Sequence, residues 1–158
     1  MTTRPLVTAG TILGIGMGGF LDGILAHQLL QIHNMLSNRL PPNTVVNLEV
    51  NMFWDGLFHT LTWLATAVGI WMLWKAVTRG DVQLSGRALF GATLFGWGLF
   101  NFVEGIVDHY VLQVHYVVQR LGQSAWDVAF LASGILLMLL GRVLMRRSTP
   151  GAPLASNR

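Results

Sequence analysis

Five histidines, His27, His33, His59, His109 and His115, share this chain with five acids, Asp22, Asp55, Glu104, Asp108 and Asp127, in stretches otherwise built largely from apolar residues. No lysine or arginine stands near these acids in sequence. An ionised carboxylate in an apolar medium is costly, so such groups are expected to be protonated, hydrogen-bonded or bound to a cation. Neutral imidazole is the commonest metal ligand, and the chain has no cysteine, which removes thiolate sites, iron–sulfur clusters and cysteine nucleophiles. The chemistry indicated is therefore metal or haem binding by imidazole and carboxylate. His27, His59 and His109 are expected as direct ligands. Asp22, Asp55, Glu104 and Asp127 would complete the site or orient the rings, and His33 and His115 would lie nearer the surface and guard access. Iron, copper or zinc suits mixed His/carboxylate donors, and a facing His27/His109 pair would also suit haem b. The Glu-x-x-His pattern of di-iron bundles is absent from the sequence.

Spacing sharpens the picture in part. Asp55 and His59 stand at i and i+4 and share a helix face, which Thr62 and Thr66 continue. On an ideal helix Asp22 and His33 fall ~20° apart, whereas His27 lies ~140° from Asp22. Two explanations stay open: a wide polar face, or a local distortion such as a π-bulge permitted by Gly23 and Gly105. An acid beside tryptophan, as in Trp54-Asp55 and Trp126-Asp127, also serves as a helix cap at a membrane interface. Gln31 and Gln113 are expected to bond across helices.

The elements that must carry these groups follow from composition. Of 158 residues, 53% are hydrophobic and 11% charged, and the mean hydropathy is +0.53, values that point to lipid as the solvent. Four apolar runs, about 7–30, 52–74, 88–111 and 125–144, each approach the ~20 residues that cross the hydrocarbon core as a helix. Helix is required because lone strands in lipid leave backbone groups unpaired. The predicted fold is all-α: a four-transmembrane-helix bundle, one integral membrane domain over 1–147, then a disordered cytoplasmic tail over 148–158. The ten basic residues mark the ends of the runs, and their alternation predicts cytoplasmic N and C termini. The first run is expected to remain in the mature protein. Scattered basic residues form no patch, so the net charge of +3 does not indicate nucleic acid. Gly14-x-Gly16-x-x-Gly19 matches a dinucleotide fingerprint but follows no strand, which excludes a nucleotide fold.

The sequence also repeats. Laid so that His27 falls on His109, Phe20-Leu21-Asp22-Gly23-Ile24-Leu25 matches Phe102-Val103-Glu104-Gly105-Ile106-Val107, and Leu30-Gln31-Ile32-His33 matches Leu112-Gln113-Val114-His115 without a gap. A different shift lays Trp54-Asp55-x-x-Phe58 on Trp126-Asp127-x-x-Phe130. This predicts a helical hairpin used twice, in parallel, around an axis along the membrane normal. Gly10, Gly14 and Gly18 recur every four residues and Gly91, Gly98 and Gly105 every seven, predicting smooth faces where the first and third helices approach.

The run Gly19–His33, the run Trp54–His59, and Asn101–Gly105 with His109 and His115 resemble a family of bacterial four-helix inner-membrane proteins grouped as a domain of unknown function. The likeness covers most of residues 8–144. It implies a bacterial source and a membrane location, and no activity. Members of that family often carry a doubled histidine where this chain has His33-Asn34 and His115-Tyr116.

The function favoured by the residues is a His/carboxylate metal or haem protein in the extracytoplasmic half of the bundle, serving redox chemistry or metal delivery to a respiratory complex. Proton or cation translocation through the same groups is the alternative, opposed by the lack of titratable residues in the cytoplasmic halves. A structural or assembly subunit without its own cofactor is the third. The partners implied are the lipid bilayer and a membrane protein complex or a second copy of the chain. Catalysis would run only through the metal.

Overall fold

The computed structural model describes residues 2–147; the expected tail, 148–158, lies outside the described residues. The protein is all-helical, with four helices long and apolar enough to cross a membrane. Helix α1 (Arg4–Asp22) opens with Pro5 in its first turn, where a missing N–H costs nothing. It runs directly into a π-helical segment, Gly23–Leu29. Helix α2 (Val45–Val77) is 33 residues long and begins well ahead of the apolar run at 52, because Thr44 caps it by accepting the Asn47 N–H at 3.2 Å. Helix α3 (Gly86–Glu104) is capped by Ser85, which accepts the Ala88 N–H at 3.2 Å, and also continues as a π-helical segment, Gly105–Val111. Helix α4 (Ala125–Arg146) starts at a capping box between Ser124 and Asp127.

The helices pack as a row, with α1 and α3 in the middle, α2 against α1, and α4 against α3. Small residues make this possible. A Cβ on Gly14 would strike the Thr93 carbonyl and one on Gly96 the Thr11 carbonyl, while one on Gly10 would lie 2.8 Å from the Ala92 Cβ, so α1 and α3 meet backbone to backbone. Gly18 faces the Trp97 ring of α3. Gly91 and Gly98 look instead at Gly141 and Gly134 of α4, and Gly105 at Leu131 of α4. The seven-residue glycine stripe thus serves the α3–α4 contact rather than α1–α3, since it lies on a different face of α3 from Gly96.

The interior is correspondingly small or polar. Ala9, Ala88 and Ala92 are buried, whereas Leu61, Trp63, Trp71, Trp74, Leu136 and Leu139 are exposed, the distribution expected when the surroundings are lipid. At one end Leu6, Ala76, Val82 and Ala88 form an apolar cluster, and Thr2 bonds to Asp81 and Gln83 of the α2–α3 connection. The polar interior is at the other end.

Candidate metal centre

The π-helical segments decide which side chains meet. Hydrogen bonding from i to i+5 places residues five apart on one side of the helix. Asp22 and His27 have that spacing, as do Glu104 and His109, and the two pairs approach to 3.5 Å and 3.2 Å between Nε2 and a carboxylate oxygen. The wider turn therefore removes the ~140° conflict of an ideal helix.

Each π segment ends with the same reversal. Leu30 N–H donates to the Leu25 carbonyl at 2.8 Å and Leu112 N–H to that of Val107 at 2.7 Å. Gln31 and Gln113 follow in the left-handed region, with φ of 49° and 50°. The chain then folds back over the helix ends, so His33 and His115 turn inward: they are 5% and 1% exposed. This differs from the surface position expected from the sequence, because the post-helix segments are not extensions of the helices. Gln31 and Gln113 act through their backbone conformation in this reversal.

The two returning segments are cross-braced. His33 Nδ1 donates to the Val117 carbonyl at 3.0 Å, and His115 Nδ1 lies 3.1 Å from the Met35 carbonyl. Met35 N–H donates to Asp55 Oδ1 at 2.7 Å, and Val117 N–H to Asp127 Oδ1 at 3.0 Å. Asn34 adds a bond to Asp55 Oδ2 at 2.9 Å. Those same carboxylates reach the helix histidines: His27 Nδ1 is 2.8 Å from Asp55 Oδ1, and His109 Nδ1 is 3.1 Å from Asp127 Oδ1. Asp127 also takes the Ser124 N–H at 2.8 Å, so it caps α4 and faces a histidine at once. Asp55 lies well inside α2 and caps nothing.

Four imidazoles consequently crowd into one buried cluster. The rings of His27 and His33 have centroids 4.5 Å apart, those of His33 and His115 4.6 Å, and those of His109 and His115 5.0 Å. His33, His115 and His27 each present a nitrogen within 4.8 Å of the other two, and Glu104, His109 and His115 form a second such group. Glu104 Oε1 is 3.0 Å from His115 Nε2 and 3.2 Å from His109 Nε2, while its Oε2 is buried without a hydrogen-bond partner. The nitrogens of His109 are close to their carboxylates yet lack the direction of a hydrogen bond. His33 Nε2 is also buried without a partner. Burial, with the neighbouring His115 and His27, pushes the His33 imidazole down to about 3, so it stays neutral and keeps a free lone pair. Among the described residues, the only ion-pair partners of Asp22, Asp55, Glu104 and Asp127 are histidines.

His59 stands outside both groups. Its Nδ1 is 2.7 Å from the Asp55 carbonyl one turn back, and its ring centroid is 6.5 Å from that of His27. Its side chain packs against Gly23, where a Cβ would come within 2.7 Å of Nε2. Sequence reasoning gave no site role to three residues of this region: Asn34, which supports Asp55; Asp108, which shares a cavity wall with Glu104; and Asn51, fully buried, which holds the Leu36 N–H at 3.0 Å and the Leu40 carbonyl at 2.8 Å. Asn51 had a signal, an amide on the face of Asp55 one turn before it.

Residues 9–148 match the family described as Predicted membrane protein (DUF2243). The chain belongs to that family. Its description as a predicted membrane protein agrees with the four candidate spans, and its function is unknown. Neither the curated proteins nor the solved structures give a match. What the buried His/Glu groups offer is a set of donors that could hold a metal ion.

Proposed function

We propose that this protein is a bacterial inner-membrane metal protein whose ion sits among His27, His33, His109, His115 and Glu104, at the extracytoplasmic end of the helices. The observation that carries this reading is charge balance. Four carboxyls are grouped with four imidazoles, with no lysine or arginine paired to them among the described residues, and each of His27, His109 and His115 faces oxygen through both ring nitrogens. A neutral imidazole has one N–H and cannot satisfy two acceptors, so each such ring calls for an added proton or a cation. A metal ion meets that need at several of these contacts together.

The remaining nitrogens support the assignment. With Nδ1 turned to the Val117 and Met35 carbonyls or to Asp55 and Asp127, the Nε2 lone pairs are left for the ion, the arrangement by which outer carboxylates and carbonyls orient metal-binding histidines. Because the two candidate donor groups share His115, one ion rather than two is expected. Glu104 with His109 and His115 is a two-histidine, one-carboxylate set of the kind that suits iron, with zinc and copper as the other fits. Rings in mutual contact at 4.5–5.0 Å leave no slab for a porphyrin, which favours a small ion over haem b.

The same reading takes the chain as a duplicated hairpin with both termini cytoplasmic. In support are the paired π segments, the paired left-handed glutamines, and the reciprocal bonds His33 to Val117 and His115 to Met35. Redox chemistry or metal delivery to a respiratory complex is the role such a centre would serve. The test is elemental analysis and an absorption spectrum of tag-free protein purified in mild detergent without chelator. One transition-metal ion per chain, no Soret band, and loss of the ion in His33→Ala/His115→Ala are expected; metal-free wild type, or equal metal in both proteins, overturns the proposal.

A further inference from the structure

The end of the helices away from the histidine cluster is strongly basic. Arg4, Lys75, Arg79 and Arg87 stand there with Arg146 and Arg147, and the one acid among the described residues of that end is Asp81. Between the start of α1 and the end of α2, a cavity of about 310 Å³ opens at this level. Pro5, Trp71 and Met72 give it apolar walls, and Lys75 and Arg79 are the two charged side chains of its lining. Both are exposed, so an occupant can reach them.

The two cations are placed in different ways. Arg79 binds Asp81 through Nε at 3.0 Å and Nη2 at 2.9 Å, which leaves Nη1 to donate elsewhere. Asp81 is itself anchored, because its carbonyl takes the Thr2 N–H at 3.2 Å and the Thr2 carbonyl takes the Gln83 N–H at 3.1 Å. Lys75 has no carboxylate partner among the described residues; its Nζ stands 4.6 Å over the Trp71 ring, a contact that orients the ammonium without neutralising it. The uncompensated charge calls for an anion. Trp71, 58% exposed beside it, calls for hydrocarbon, and the ring of a tryptophan at this level sits at the boundary between acyl chains and headgroups.

We propose that this cavity is a site for an anionic phospholipid of the phosphatidylglycerol class, its phosphate met by Lys75 and Arg79 and an acyl chain laid along Trp71 and Met72. Basic pockets between membrane helices bind anionic headgroups in this way. A zwitterionic lipid brings the same phosphate together with a cationic group that Lys75 and Arg79 repel. The bound lipid bridges α1 and α2 at the end opposite the proposed metal centre, and its binding needs no metal.

Native mass spectrometry of the full-length protein, delipidated in mild detergent, compares dioleoylphosphatidylglycerol with dioleoylphosphatidylcholine, which share their acyl chains and differ in headgroup charge. One phosphatidylglycerol bound about ten-fold or more tighter than the choline lipid is expected, the ratio that about 1.4 kcal/mol gives. Lys75→Gln/Arg79→Gln should abolish that preference. Thr8→Trp, at an exposed position of the lining, puts a ring into the cavity with every charge kept and should weaken phosphatidylglycerol binding by a similar factor. Arg146→Gln/Arg147→Gln removes the same charge from the same end but outside the cavity, and should keep the preference. Equal binding of the two lipids, an equal loss of preference in the two charge variants, or undiminished binding in Thr8→Trp overturns the inference.

Discussion

The His115 ring joins Glu104 Oε1 through Nε2 at 3.0 Å while its Nδ1 faces the Met35 carbonyl at 3.1 Å. One side chain thus ties the buried carboxylate of α3 to the segment that returns from α1. Since Met35 N–H also donates to Asp55, the same short stretch of backbone orients both His115 and the carboxylate that faces His27.

Asp55→Asn and Asp127→Asn each remove the negative charge that stands against a histidine Nδ1, at 2.8 Å for His27 and 3.1 Å for His109. Loss of such an outer partner weakens metal binding by roughly 10–100-fold. Competition with a chromophoric chelator should read that drop for each variant. Unchanged affinity would mean that these carboxylates serve folding alone.

His59→Ala should leave metal content as in the wild type, because its Nδ1 is committed to the Asp55 carbonyl and it stands outside both donor groups. The measurement is the same elemental analysis. A fall in metal to match His115→Ala would bring His59 back among the ligands.

Metal-free protein should lose stability on acidification through His33. Its folded value, about 3, lies below the ordinary 6.5, so between those limits the unfolded chain binds the proton that the folded chain refuses. The contribution is therefore intact above 6.5 and is lost as pH falls towards 3, at a slope of up to about 1.4 kcal/mol per pH unit. Thermal unfolding in detergent across that range should show a shallower acid limb for His33→Gln than for the wild type. Parallel limbs would contradict the burial of a neutral imidazole.

Gly14→Val and Gly96→Val should each destabilise the protein by about 1–3 kcal/mol or more, because the added side chain meets the backbone carbonyl of Thr93 or Thr11 across the α1–α3 contact. Gly56→Ala, where nothing lies within 4 Å of the added Cβ, is the control. Thermal unfolding in detergent measures all three, and equal midpoints would show that α1 and α3 are not held backbone to backbone.

The four spans were legible because apolar runs bounded by arginine and lysine leave little else for the chain to do in lipid. The start of α2 was not, since Asn47, Glu49 and Asn51 interrupt the apolar pattern; Asn47 bonds to Pro41 and Asn51 to Leu36 and Leu40 of the preceding loop, and Glu49 is exposed. At the centre, the equal spacing of Asp22 with His27 and of Glu104 with His109 pointed to paired acids and imidazoles, and Gly23 and Gly105 marked where each helix widens. The inward turn of His33 and His115 was hidden. It depends on a left-handed residue after each π segment, and glutamine, unlike glycine or asparagine, gives no warning of that conformation.

X-ray absorption at the metal edge of tag-free protein tests the central claim most directly. The account predicts one ion per chain in a nitrogen and oxygen shell near ~2.0–2.2 Å, with the outer-shell scattering of two or more imidazoles and no sulfur. A shell of oxygen alone, a sulfur ligand from methionine, or metal far below one ion per chain would contradict it.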